Sequence, residues 1–231
     1  IGKHPKIEKI VLDIFSQQLE NSSRVGVGLS SIKSPEIYLN EMRLIKSQFE
    51  ISRMRKATQI SAEAHELVRE SVSIKNNERQ IQGLIEGFFL EKGARGPAYN
   101  SIVASGDNAC ILHYTSNNSP LKKGDLLLVD AGCSLTDYYN GDITRTIPIS
   151  GKFSIEQKVI YEIVLSAQKK AISSAVKGSN SNAVHNVALK ILVEGLKEIG
   201  LLSGGTEEII ENQSYKHLYM HRTGHWLGLD V

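Results

Sequence analysis

Leu126-Leu127-Leu128-Val129-Asp130 and, further on, Gly141-Asp142-Ile143-Thr144-Arg145-Thr146 are the stretches whose reading decides the fold. A short apolar run rich in Leu and Val reads as a buried strand, and a carboxylate at its end is costly unless a cation or several donors meet it. Between the two stretches, residues 134–140 are polar and suit a hairpin loop. If that loop centres near Thr136, Asp130 and Asp142 fall opposite one another on one face of the sheet, where like charges repel. A divalent cation between them turns the repulsion into attraction. Taken singly, Asp130 reads as a cap on a strand end and Asp142 as a turn residue after glycine. Together, with Thr144 and Thr146 along the same face, they point to a metal site.

Outward from the hairpin, strand signals cover Ser101–Ser105, Ala109–Tyr114, Asp125–Gly132 and Asp142–Ile149. Helices flank this block. Ser47 and Glu50 form a capping box, followed at helical spacing by Ile51, Met54, Ala57, Ile60, Ala64 and Leu67. Asn77 caps a second helix running to Lys92 and stopped by Gly93. Ser154 and Gln157 open a third, which continues to Gly178. A fourth covers Asn182 to Ile199, and a short one lies near Glu207–Glu211. Helices on either side of a strand block, without strict alternation, predict an α+β fold with helices covering a mostly antiparallel sheet. At the N-terminus residues 7–20 show a helical stripe (Ile7, Ile10, Val11, Phe15), Arg24–Gly28 suggests a short strand, and Ser34-Pro35 marks a loop. Residues 1–40 read as the remnant of a separate N-terminal element. The chain begins at Ile1 rather than Met and stops at Val231 in sequence that still reads as structured, so a fragment is expected.

Composition excludes several classes. The 231 residues are 41% hydrophobic and 23% charged with a net charge of +2, which gives no reason to expect nucleic acid as a partner. No apolar run approaches the roughly 20 residues of a membrane span. The N-terminus lacks the charged and apolar regions of a signal peptide. Cys110 and Cys133 stand in apolar stretches with no CxxC, and read as buried small hydrophobes in a reducing, cytoplasmic compartment rather than as a disulfide or metal pair.

Of the seven histidines, His65 and His185 lie in amphipathic helices and His4 at the start, and all three read as structural or exposed. His217 has no obvious partner. His221 and His225 stand four apart, as in helical zinc motifs, but Thr223-Gly224 between them and the absence of a glutamate argue against a helix. A glycine beside a ligand histidine suits a strand or loop that brings backbone close to a site. His113, taken alone, reads as a hydrogen-bonded structural histidine.

Together, Asn100-Ser101-Ile102-Val103, Leu112-His113-Tyr114, Val129-Asp130-Ala131-Gly132, Gly141-Asp142-Ile143-Thr144-Arg145-Thr146 and His221-Arg222-Thr223-Gly224-His225-Trp226-Leu227-Gly228 resemble the Xaa-Pro aminopeptidase family. That family shares the pita-bread fold of creatinase and methionine aminopeptidase. Glu41–Ser47 also resembles the entry to its catalytic domain. The resemblance implies a catalytic metallopeptidase domain over residues 41–231, incomplete at its C-terminal end, with 1–40 left from an N-terminal domain. It implies that Asp130, Asp142 and His225 are metal ligands, that His113 and His221 are catalytic and substrate-binding, and that Arg145 and Thr144 support the ligands. Manganese is the implied metal, with cobalt or zinc as oxygen-tolerant alternatives. The reaction is release of the residue before a proline by two-metal-activated water, in a homo-oligomer when full length. The family pattern has two more glutamate ligands and another pocket histidine after Trp-Leu-Gly-Leu-Asp-Val, so the chain alone is expected to be inactive. Prolidase, which takes Xaa-Pro dipeptides, is the nearest rival. A non-catalytic relative binding peptide or protein partners is the rival of another class. Two histidines before Trp226 and the upstream remnant disfavour methionine aminopeptidase.

Overall fold

The structure, a computed structural model, describes residues 4–25 and 33–231. The chain divides into two compact units, Ile1–Ile45 and Lys46–Val231. The first holds helices α1 (Pro5–Val25) and α2 (Glu36–Leu44). A proline suits the first helical turn, where its missing N–H would have no partner in any case. Helix α1 covers the expected stripe and also takes in Arg24 and Val25, which read as the start of a strand; residues 26–28 of that stretch lie outside the described residues. Helix α2 follows a sequence in which only the Ser34-Pro35 loop and the later opening at Glu41 stood out.

The second unit opens with α3 (Gln48–Ser71). Its capping box is complete. The Ser47 N–H donates to Glu50 Oε2 at 2.7 Å and the Glu50 N–H to Ser47 Oγ at 3.3 Å, so two otherwise unpaired donors are met. Ala57, Ile60, Ala64 and Val68 form its buried stripe together with Ser61 and His65; Val68 fills the position expected of Leu67. Helix α4 (Glu78–Glu91) is capped by Asn77, whose Oδ1 accepts from the Arg79 N–H at 2.8 Å. It stops before Gly93, whose φ of +77° only glycine adopts readily.

Five short strands follow: β1 (Gly96–Pro97), β2 (Ile102–Ser105), β3 (Leu126–Asp130), β4 (Cys133–Ser134) and β5 (Thr144–Pro148). All pairings are antiparallel, in the orders β2-β3-β5 and β1-β4. After them come α5 (Ile155–Ser174), α6 (Ser181–Glu198) and α7 (Thr206–Glu211). Ser154 and Gln157 form the expected box on α5, which ends at Ser174 rather than Gly178. The α+β expectation therefore holds.

The strand expected over Ala109–Tyr114 does not form. Gly106, at φ +53°, turns the chain out of β2, and Gly106–Cys110 winds into a 3-10 helix. The apolar run Ala109–Leu112 misled the reading, because the polar residues around it, Asn108 and Tyr114, bond inward to Glu78. Cys110 is consequently exposed and not buried as expected, whereas Cys133 is buried, and both are free.

Helices α3 and α4 pack on each other and on the strands. Ile81, Ile85 and Phe89 of α4 meet Val103, Leu127 and Val129 in one fully buried core, each side chain contributing about 1.5–3 kcal/mol relative to exposure. The loop between β4 and β5 presses directly on α3. A Cβ on Gly141 would lie 2.6 Å from Ser61 Oγ and 2.9 Å from the Ala57 carbonyl oxygen, and one on Gly132 would lie 1.8 Å from the Gly141 carbonyl oxygen. Only glycine fits at both positions. Separately, α6 meets α5 at Gly195, where a Cβ would stand 2.6 Å from Ile163.

Candidate metal centre

The strand register places the two aspartates. Asp130 stands opposite Thr144, and the Ala131 N–H donates to the Ile143 carbonyl at 3.1 Å. Asp142 thus lies two residues along from the partner of Asp130, diagonal to it on the same face, not directly opposite as the sequence suggested. The cause is the turn. Tyr138 adopts φ +69° and its N–H bonds to the Leu135 carbonyl, so the hairpin centres on Asp137 rather than Thr136. Parity survives the one-residue change, because shifting the centre by one residue moves the facing partner by two and keeps the face.

Tyr99, which the sequence reading passed over, joins the pair. Its hydroxyl lies 2.6 Å from Asp130 Oδ1 and 2.8 Å from Asp142 Oδ1. Burial, then the hydrogen bond and charge of Asp130 and those of Asp142, push this phenol far above its usual range, so it remains a donor. One proton serves two carboxylates. The signal in sequence was only a tyrosine beside the Asn100-Ser101-Ile102-Val103 stretch, and nothing local distinguishes it from a core tyrosine.

His225 reaches the same carboxylate from the last segment. No helix forms around it, which agrees with the reading of Thr223-Gly224. The segment is tied down by Asn140, whose N–H donates to the Gly228 carbonyl at 2.9 Å and whose Nδ2 donates to the Leu229 carbonyl at 3.1 Å. His225 Nδ1 stands 2.8 Å from the Trp226 carbonyl, and since a carbonyl only accepts, that nitrogen carries the proton. His225 Nε2 then faces Asp142 Oδ2 at 3.2 Å. Two acceptors face one another there, an arrangement satisfied by a shared cation or proton.

The donor set of two carboxylates and one imidazole suits a hard or borderline divalent ion. Among the described residues, no three His, Cys, Asp or Glu side chains are gathered tightly enough to enclose an ion by themselves. The residues fit the kind of metal, but as part of a coordination shell.

The other expected site residues stand apart from this group. His113 is exposed, in the turn after the 3-10 helix, with φ +56°. His221 is exposed too; its Nδ1 bonds to the Arg222 carbonyl at 2.9 Å and its ring packs edge-on to Tyr219 at 5.1 Å. Arg145 is exposed and donates to the carbonyl of its neighbour Thr144. His65 is structural, as read: buried in α3, its Nε2 donates to the Ala131 carbonyl at 2.9 Å, next to Asp130. His217, for which no partner was foreseen, bonds through Nδ1 to the Ser214 carbonyl. A surface cavity of about 420 Å³ is lined by Gln59, Glu63, Glu66, Ile143 and Arg145 among others, and not by Asp130, Asp142 or His225.

Residues 52–231 match the model of metallopeptidase family M24. The chain belongs to that family. It is 47% identical over 209 residues to the Xaa-Pro aminopeptidase of Haemophilus influenzae, covering 90% of this chain and 48% of that protein. To the Xaa-Pro aminopeptidase of Escherichia coli it is 42% identical over 193 residues, covering 84% of this chain and 44% of that one. Among solved structures, aminopeptidase PepP of Pseudomonas aeruginosa superposes over 100% of this chain and 52% of its own, with a TM-score of 0.91 at 40% identity. Escherichia coli aminopeptidase P in complex with substrate gives the same TM-score of 0.91 at 37% identity, and covers 52% of that chain. The M24 fold is thus the pita-bread fold expected from the sequence. The chain spans about half the length of the curated relatives it matches.

Proposed function

We propose that this M24 chain is part of a dinuclear-metal Xaa-Pro aminopeptidase, which releases the N-terminal residue from peptides with proline second. Asp130, Asp142 and His225 are its metal ligands in this chain, with Tyr99 holding the two carboxylates. The observation that carries the reading is the pair of facing acceptors, His225 Nε2 and Asp142 Oδ2, beside a carboxylate that shares the same tyrosine hydroxyl. The ions are manganese, with cobalt and zinc as alternatives; a zinc-substituted Escherichia coli aminopeptidase P in complex with product is among the similar structures. When bound, such ions polarise a carbonyl oxygen and lower the pKa of water. The chain's own residues hold and orient. Asp130 and Asp142 supply negative charge at the end of β3 and before β5. The Asn140 amide fixes the backbone that presents His225. His221, with its Nδ1 proton given to the Arg222 carbonyl, offers Nε2 as an acceptor, and His113 offers a ring on an exposed turn; both bind substrate near the scissile carbonyl.

The similar proteins are named Xaa-Pro aminopeptidases, which supports this reading over prolidase. No helix among the described residues is long and apolar enough to cross a membrane. We place the enzyme in the cytoplasm, as a homo-oligomer acting on peptides and on neither nucleic acid nor membrane, with residues 1–40 belonging to an N-terminal domain and 41–231 to the catalytic one. The test is hydrolysis by the full-length gene product loaded with manganese. Release of the first residue from Xaa-Pro-Xaa tripeptides, faster than from Xaa-Pro dipeptides, is expected. Turnover confined to the dipeptide would make it a prolidase, and no metal-dependent turnover of either would make it a binding relative.

A further inference from the structure

Glu78, the first residue of α4, is fully buried. Its Oε1 accepts from the Ser105 N–H at 2.8 Å, the Ser105 hydroxyl at 2.7 Å and Asn108 Nδ2 at 3.0 Å. Its Oε2 accepts from the Tyr114 hydroxyl and the Ser119 N–H, both at 2.8 Å. Burial alone pushes this carboxyl up, but the bonds from Asn108, Ser119 and Ser105 outweigh it and hold the group below the usual carboxylate range. All the donors belong to one segment, 105–119, which leaves the end of β2 at Ser105, makes the 3-10 turn and has no regular structure after Cys110. The first turn of α4 also grips that segment through the backbone. The Glu78 N–H donates to the Ser119 carbonyl, and Arg79 donates to the Ser116 carbonyl.

His113 lies within this segment, between Asn108 and Tyr114, two of the three side-chain donors. Its backbone is left-handed at φ +56°, a conformation that costs a non-glycine residue about 1 kcal/mol or more and persists only where the surroundings impose it. The turn is closed locally by the Tyr114 N–H, which donates to the Ile111 carbonyl at 3.2 Å, and the Tyr114 side chain at its end is held by Glu78. We propose that Glu78 is a positioning residue: by gathering Asn108 and Tyr114 onto one buried carboxylate, it fixes the turn that aims His113 at the substrate. This rests on the substrate-binding role assigned to His113 above and adds to it the device that sets its direction.

The test is a double-mutant cycle in the manganese-loaded full-length gene product, with Glu78→Gln and His113→Ala alone and together. Gln keeps the shape but turns one acceptor into a donor, facing the Ser119 N–H or the Ser105 donors. Glu78→Gln is expected to lower kcat by about 10- to 100-fold, the scale of a misaimed group, and by less than about twofold once His113 is alanine. Amide hydrogen exchange, which does not depend on turnover, is expected to rise within 105–119 and not in β3 or β5. Equal losses in both backgrounds, or an unchanged kcat in Glu78→Gln, overturn the proposal and leave the role of His113 standing. An unchanged kcat in His113→Ala overturns that role and the proposal with it. Should Glu78→Gln fail to fold, Tyr114→Phe, which removes a single donor from Oε2, replaces it in the same cycle with the same outcomes.

Discussion

Asp130 and Asp142 share a single phenolic proton, and that makes Tyr99 the residue on which the pair depends. Removing its hydroxyl leaves two carboxylates on one face with no common donor. Tyr99→Phe is expected to destabilise the metal-free protein by about 1–3 kcal/mol and to weaken manganese binding about 10- to 100-fold, as loss of a group that orients ligands does. Urea unfolding and a manganese titration check the two halves; unchanged values in both would remove Tyr99 from the site. His65 supports Asp130 from behind through the Ala131 carbonyl. Burial first, and the Arg145 charge after it, lower its pKa below the ordinary 6.5. Below that value the unfolded chain therefore binds more protons than the folded one, and the stability His65 contributes is fully present above about pH 6.5 and is lost as pH falls from there through the lower folded value. The thermal midpoint is expected to fall between about pH 7.5 and about pH 5.5, and to fall less in His65→Gln. The placing of Asp130 and Asp142 on one face was legible in the sequence, because two carboxylates across a hairpin repel unless a cation lies between them, and His225 was singled out by the family resemblance. Tyr99, Asn140 and Glu78 were not legible, since their partners are distant in sequence and only the folded chain brings them together.

At the scale of elements, the caps and stripes of α3, α4, α5 and α6 could be read because they depend on neighbours three or four residues away. The hairpin register could be read only to within one residue of its centre, since Tyr138 takes a left-handed turn that nothing in its side chain announces. The false strand at Ala109–Tyr114 has the same origin: four apolar residues in a row fit a strand, and the decisive bonds run to Glu78 across the fold. What holds the hairpin at its height on α3 is the bare backbone of Gly141. Gly141→Ala is expected to cost more than about 2 kcal/mol, since its methyl group would meet Ser61 Oγ and the Ala57 carbonyl rather than a flexible side-chain tip. Chemical denaturation measures this, and a loss under about 0.5 kcal/mol, the size of an ordinary surface change, would show that the hairpin can lift off the helix.

For the whole molecule, the family and fold follow from a match that runs through residues 52–231 and from superposition over the full chain. The three ligands proposed in this chain are too few to hold two ions, each of which takes four to six ligands. The 231-residue polypeptide by itself is therefore expected to bind manganese weakly and to turn over no Xaa-Pro-Xaa peptide, and full turnover by it would show that the three residues are not the core of the centre. The most direct test of the ligand assignment is calorimetric titration of manganese into the full-length gene product and into its Asp142→Asn and His225→Ala variants. The account predicts two ions per chain in the parent and a loss of affinity beyond about 100-fold in each variant, more than removal of a merely supporting group produces. Unchanged stoichiometry and affinity in both variants would contradict it.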